Sequence, residues 1–133
     1  MLSGGTTYNE NVVKHGTGAD LLVHNVIAFS DGLSRMPGMK KVLAKLTTPE
    51  QAAEVFKKAR PKLAVFLHIV TKELQGKHGE EEIIARTRAA GYQGPLEMGV
   101  DRTEITVGNE VTVTALRPLG DLPNLDSKGQ PFP

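Results

Sequence analysis

The stretch LTTPEQAAEVFKKARPKLAVFLHIV, residues 46–70, decides the fold of this chain. Thr48 is a typical helix N-cap, Pro49 suits the first helical position, and Gln51 completes a capping box with Thr48. Apolar residues then recur at helical spacing, and Pro61 ends the helix. The continuous apolar run that follows is typical of a strand buried on both faces. The stretch therefore predicts a helix followed by a buried strand.

The same two patterns recur on either side of this stretch. ADLLVHNVIAF, residues 19–29, is a second continuous apolar run and predicts another buried strand. MKKVLAKL, residues 39–46, predicts a short helix, and GEEEIIARTRAAG, residues 79–91, predicts a longer one. Strands that alternate with helices along the chain indicate the α/β class.

The C-terminal part of the chain has a different pattern. RTEITV and EVTVTAL alternate apolar and polar residues around Gly108-Asn109, which predicts an antiparallel hairpin with a two-residue turn. The last seventeen residues contain four prolines and two glycines and predict an extended or disordered tail. One α/β domain is thus predicted over residues 1–116, with the tail over residues 117–133. The residues expected to face inward in the hairpin are Ile105, Val107, Val111, Val113 and Ala115.

Composition and charge exclude several classes of protein. The formal net charge is +1, so no overall field attracts the chain to nucleic acid or to a membrane. The absence of cysteine excludes disulfides and thiolate chemistry. No segment has the pattern of a signal peptide, and the longest apolar run, LAVFLHIV, is too short to span a bilayer. We therefore expect a soluble, cytoplasmic protein whose partner is neither a membrane nor a nucleic acid.

Two histidines lie in matching places, near the ends of the segments DLLVH and AVFLH. If the two strands are parallel neighbours, His24 and His68 project at the same edge of the sheet, where α/β proteins place their sites. Both histidines are then candidates for a site, and His24 is a candidate catalytic residue. Zinc requires three or four ligands, so the alternative, in which each histidine is a hydrogen-bonded structural side chain, stays open.

Three other polar residues are interpreted as structural. Asp20 precedes a strand and is typical of a turn, Asp101 lies in a loop, and His78 lies among glycines and acidic residues at the start of a helix. The chain also contains no Ser-His-Asp or phosphate-loop spacing. The two strand-end histidines are therefore the residues on which a site would depend.

Two segments resemble the C-terminal half of metallo-β-lactamase-fold hydrolases, in the branch that contains ribonuclease Z and arylsulfatase-like enzymes. They are SGGTTYNENVVKHGTGADLLVHNV, residues 3–26, and the stretch of residues 46–70 quoted above. The similarity extends from Ser3 to about Ala115. It implies half of a four-layer αββα sandwich, in which a mixed sheet carries helices on one face, and a family of zinc-dependent hydrolases.

The sequence departs from the family at several positions that the resemblance aligns. The family motif Ser-Gly-Asp-Thr, whose aspartate bridges two metal ions, reads SGGT here, so Gly5 occupies the lost ligand position. The motif Asp-Leu-Leu-x-His-Glu reads DLLVHN, with Asn25 in place of the glutamate. Leu46 replaces a histidine that assists catalysis in the ribonuclease branch. His68 keeps the position of a histidine that is a metal ligand in the family.

The family's His-x-His-x-Asp-His cluster is absent from this sequence, whose four histidines are scattered. A dinuclear zinc hydrolase needs roughly five to seven ligands. We therefore expect a truncated, degenerate relative that binds no zinc tightly and has no hydrolase activity as an isolated chain. Two alternatives stay open: a half-enzyme that another chain completes to hydrolyse phosphodiesters or esters, and a metal-free binding module.

The predicted strands also suggest an assembly. Both are apolar on both faces, so each face is expected to be covered. The helices can cover one face, and a second copy of the chain could cover the other in a homodimer. The alternative is that the hairpin and the tail cover it within one chain.

Overall fold

The structure is a computed structural model that describes residues 1–74 and 76–115. The predicted tail over residues 117–133 lies outside these residues. The chain divides into two compact units, Met1–Gly99 and a second unit that begins at Val100. No helix in the described ranges is long and apolar enough to cross a membrane.

The first unit alternates helices and strands, as the sequence predicts. The predicted helix over residues 39–46 is shorter than expected, and another short helix precedes it. The elements in chain order are α1 (Glu10–Gly16), β1 (Leu21–Phe29), α2 (Asp31–Ser34), α3 (Met39–Leu43), α4 (Pro49–Ala59), β2 (Leu63–Lys72), α5 (Gly76–Ala89) and β3 (Leu96–Met98).

The sheet of the first unit is parallel, with strand order β1-β2-β3. The N-terminus runs along the other edge of β1. There Val23 donates its backbone N–H to Met1 O at 2.9 Å and accepts from Ser3 N at 3.0 Å. This pairing places the glycine-rich loop that follows Ser3 beside the middle of β1.

Helix α4 forms because its first turn is capped from both sides. Thr48 Oγ1 accepts from Gln51 N at 3.4 Å, and Gln51 Oε1 accepts from Thr48 N at 3.1 Å, which is the predicted capping box. The buried ring of Phe56 then anchors the helix on the sheet, 5.5 Å from the ring of Phe66. Helices α1 and α5 pack against α4, so one helical layer covers this face.

The opposite face of β1 and β2 is also buried in the single chain. Val23, Ile27, Phe29 and Val65 are all buried within the single chain. These residues need no second copy of the chain to cover them, and the homodimer stays a prediction. The exposed apolar side chains of the sheet lie elsewhere, at Leu67 on β2 and at Met1 and Leu2 on the adjoining N-terminal segment.

The second unit contains the predicted antiparallel hairpin, formed by β4 (Thr103–Val107) and β5 (Val111–Ala115). These strands form a sheet of their own, so parallel and antiparallel strands occur in separate sheets. The pairing of Val107 with Val111 leaves three residues in the loop, not two. The two-residue prediction was wrong because Glu110 belongs to the loop, where its carbonyl oxygen accepts from Gly108 N at 3.0 Å.

The predicted inward face of the hairpin is also wrong in part, because Val107 and Val113 are exposed. A two-stranded ribbon by itself buries little apolar surface. The side chain of Ala115 lies outside what the structure describes.

Candidate functional site

The loop after Ser3 and the middle of the sheet enclose a cavity of about 170 Å³. The loop can approach β1 closely because Gly4 adopts a left-handed conformation, with φ of +67°, that favours glycine. The cavity is lined by Leu2, Ser3, Gly4, Gly5, Val23, His24, Asn25, Leu67 and His68.

His68 reaches the cavity because β2 contains a bulge. Leu67 pairs with Asn25 of β1 and Ile69 pairs with Val26, so His68 has no partner on the neighbouring strand. Its φ of +51° is left-handed, which is uncommon for a residue with a side chain. Bulges re-aim side chains and are frequent beside functional sites. The imidazole of His68 is consequently exposed and has no hydrogen-bond partner among the described residues.

Gly5 lies directly beside His68. A Cβ atom on Gly5 would be 4.0 Å from His68 Nδ1 and 3.6 Å from Leu46 Cδ2, which are ordinary contact distances. The loop, the segment before α4 and the bulge of β2 therefore bring together three of the positions that the sequence resemblance aligned. A Cβ atom at position 5 would fit there without strain.

His24 lies on the helical side of β1 and is only 1% exposed. Its Nδ1 is 2.5 Å from Ser3 Oγ, and its Nε2 is 3.4 Å from Thr47 Oγ1. The Thr47 hydroxyl donates to Thr6 O at 2.6 Å, and each imidazole nitrogen of His24 faces a hydroxyl oxygen. Burial lowers the pKa of His24 to about 4. His24 is thus a neutral side chain whose two nitrogens are both occupied.

Asn25, the next residue, holds the loop. Its Oδ1 accepts from Thr6 N at 2.9 Å, which fixes the orientation of the amide. Its Nδ2 is buried and has no hydrogen-bond partner. A buried donor without an acceptor is rare and requires an explanation.

The other residues considered from the sequence do not line the cavity. Asp20 forms an ion pair with Lys62 at 2.6 Å, and the hydrogen bond from Lys62 holds the pKa of Asp20 below its usual range. His78 is an exposed residue of α5. Asp101 is exposed and belongs to the second unit.

The side chains present do not fit a dinuclear zinc centre. Among residues 1–74 and 76–115, no three His, Cys, Asp or Glu side chains come close enough together to hold a metal ion. At the cavity, His68 is a possible ligand, Gly5 has no side chain, and the nitrogens of His24 are engaged. Zinc needs at least three protein ligands even at an open catalytic site.

Sequence reasoning missed Ser3 and Thr47 as the partners of His24. Both residues belong to segments that the resemblance covers, but the sequence analysis assigned neither of them to the site. The doubled threonine Thr47-Thr48 was a usable signal, because capping α4 requires only Thr48.

Comparison with known proteins identifies the type of fold. No family model matches the chain, and no curated protein matches it. The structure is similar to the metallo-β-lactamase fold protein YhfI from Bacillus subtilis, with a TM-score of 0.54 at 15% sequence identity. The chain has a metallo-β-lactamase-type half-fold. The match covers 74% of this chain and 35% of YhfI, so the chain spans about a third of that protein. The predicted fold class is confirmed, whereas the ribonuclease Z branch stays a prediction.

Proposed function

We propose that this chain is a degenerate relative of zinc-dependent hydrolases that works as a metal-free binding module. The observation that carries the proposal is the position of Gly5 beside His68, where the exposed imidazole in the cavity lining is next to a residue with no side chain. A hydrolytic metal ion would require more ligands than this cavity supplies.

The remaining residues of the cavity support the same proposal. His24 is committed to Ser3 and Thr47, and Asn25 is committed through its oxygen to the backbone of Thr6. These bonds hold the loop in place and leave an open cavity with apolar walls. Such a cavity is suited to binding a small molecule.

A hydrolysis assay tests this proposal. The purified chain, supplied with zinc, should hydrolyse phosphodiesters, β-lactams, thioesters and aryl sulfates at the rate of a buffer blank. The control is the His68→Ala variant, which should behave in the same way. Zinc-dependent turnover that this variant abolishes would overturn the proposal.

The second candidate is a half-enzyme that another chain completes. The specific observation in its favour is the left-handed, exposed His68, because strained residues are frequent at active sites. A second copy of this chain cannot supply the missing cluster, since its sequence is the same, so the completing chain must be a different one. Co-expression with the product of the adjacent upstream gene tests this candidate: zinc-dependent turnover by the pair supports it, and its absence contradicts it.

A further inference from the structure

We propose that the cavity binds a compact, uncharged hydrocarbon ring, such as benzene or toluene. This inference rests on the metal-free binding role proposed above and names the ligand class for the same cavity. Three observations carry it. The polar side chains of the lining are already bonded or enclosed, the surface left to a ligand is apolar, and the volume matches one small ring.

The polar side chains beside the cavity offer little to a ligand. Ser3 Oγ is 2.5 Å from His24 Nδ1, and the other ring nitrogen of His24 faces the hydroxyl of Thr47. Asn25 Oδ1 accepts from Thr6 N, and Asn25 Nδ2 is enclosed by the protein with essentially no accessible surface. A ligand that depends on hydrogen bonds or on a counter-charge would lose hydration on entry and gain few contacts in exchange.

Apolar side chains supply the surface that remains. Leu2 and Leu67 are 76% and 53% exposed, and both line the cavity together with Val23. Almost all of the surface that the lining presents to the cavity is apolar. A hydrocarbon that covers these side chains removes apolar surface from water, which is favourable without any directed bond.

The volume limits the ligand to one small ring. Because Gly5 has no side chain, the chain leaves the space beside the imidazole of His68 open, and even a Cβ atom there would meet its nearest neighbour only at 3.6 Å. An apolar cavity of roughly 150 Å³ can hold benzene. The cavity of about 170 Å³ therefore accommodates a ring of about six or seven non-hydrogen atoms.

The test is a titration followed by ¹H–¹³C NMR of the methyl groups, in the presence of EDTA so that no metal ion takes part. Benzene should shift the methyl resonances of Leu2, Val23 and Leu67. We expect saturation in the millimolar range, because the open side of the cavity leaves part of the ring in water.

Pyrazine is the matched control ligand. It has the size and shape of benzene, but its two nitrogens lie at opposite ends of the ring, so one of them must lose its hydration in the apolar cavity. Pyrazine should therefore bind roughly tenfold more weakly than benzene. Equal affinities for the two ligands, or no saturable shift with benzene, would overturn the inference.

A pair of variants locates the binding. Leu67→Ser removes part of the apolar wall and should weaken benzene binding about threefold or more. The control is Met36→Ser, because Met36 is 54% exposed, almost as much as Leu67, but does not line the cavity. Both side chains are exposed, so both variants should fold. Equal benzene affinities in the two variants would contradict the assigned site.

The remaining outcomes separate this inference from the other proposals. A chain with little zinc that fails to bind benzene would overturn this inference alone, whereas tightly held zinc would overturn the proposed function. A chain that fails to bind benzene and forms a dimer that Leu67→Asp disrupts would also overturn the inference, and would assign the exposed leucines to contact with a second copy.

Discussion

Gly5 and His68 lie beside each other in the lining of one cavity, with 4.0 Å between His68 Nδ1 and the point where a Cβ on Gly5 would lie. Two local features of the backbone bring these residues together. The edge pairing of Ser3 with Val23 brings the loop to the sheet, and the bulge of β2 directs the histidine toward the loop. The position that the resemblance identifies as a lost ligand is therefore next to the position that it identifies as a retained one.

The left-handed conformation of His68 should be measurable as strain. Left-handed backbone costs a residue with a Cβ roughly 1–2 kcal/mol, and glycine is largely exempt. We expect His68→Gly to be about 1 kcal/mol more stable than His68→Ala in urea unfolding. The matched control is Arg60, the left-handed C-cap of α4. There the Gly variant should also be more stable to urea than the Ala variant, by a similar free energy of unfolding. A Gly variant of His68 less stable than the Ala variant would contradict the assigned bulge.

The bulge shows which part of the structure could not be predicted from the sequence. The helix α4 and the strand β1 were predictable because a capping box, helical spacing and a continuous apolar run are local signals. His68 lies in an equally continuous apolar run, and left-handed residues are usually glycine or asparagine, so nothing local marked the bulge.

The contact between Ser3 and His24 was unpredictable for a different reason. It depends on the pairing of the N-terminus with the edge of β1, which is a long-range event. The resemblance nevertheless identified Gly5 and His68 as positions of one site, and the structure places them together.

His24 should make stability depend on pH. Its folded-state pKa of about 4 lies below the value of about 6.5 expected in the unfolded chain, because burial disfavours the charged imidazole. This contribution is fully present above pH 6.5 and is lost as pH falls toward 4, by about 3 kcal/mol in all. The side chains that contact the ring, those of Ser3, Thr47 and Phe56, are uncharged.

The measurement is urea unfolding at several pH values between 7 and 4. Carboxylates such as Asp20 also lose favourable interactions in acid, so the comparison must be with a His24→Gln variant, which keeps those groups. We expect the variant to lose less stability than the parent over this interval. Equal losses in the two proteins would show that His24 is not buried as a neutral side chain.

Thr47 should be more important for stability than an ordinary buried threonine. Its hydroxyl joins Thr6 O to His24 Nε2, and Thr47→Val would leave both without a partner. Leaving buried polar groups unpaired costs about 1–3 kcal/mol. The control is Thr87→Val, since the Thr87 hydroxyl bonds only to Ile83 O, within its own helix, and should cost little. Similar losses in the two variants would contradict the proposed network.

The homodimer can be tested at the exposed leucines. A self-complementary contact through a two-fold axis would need an apolar patch, and in the first unit the exposed apolar side chains of the sheet and its adjoining edge segment are Met1, Leu2 and Leu67. Light scattering on a 14.3 kDa chain should give twice that mass, returning to the single-chain mass in Leu67→Asp. A single-chain mass at every concentration tested would count against the homodimer.

The most direct test of the metal-free proposal is the zinc content of the purified protein. Elemental analysis after dialysis without chelator should give well under one equivalent of zinc per chain, because Gly5 offers no ligand beside His68 and the nitrogens of His24 are engaged. Gly5→Asp alone should not raise the content to two equivalents, since one added carboxylate cannot complete a dinuclear site. Two tightly held equivalents of zinc in the unmodified chain would contradict the account.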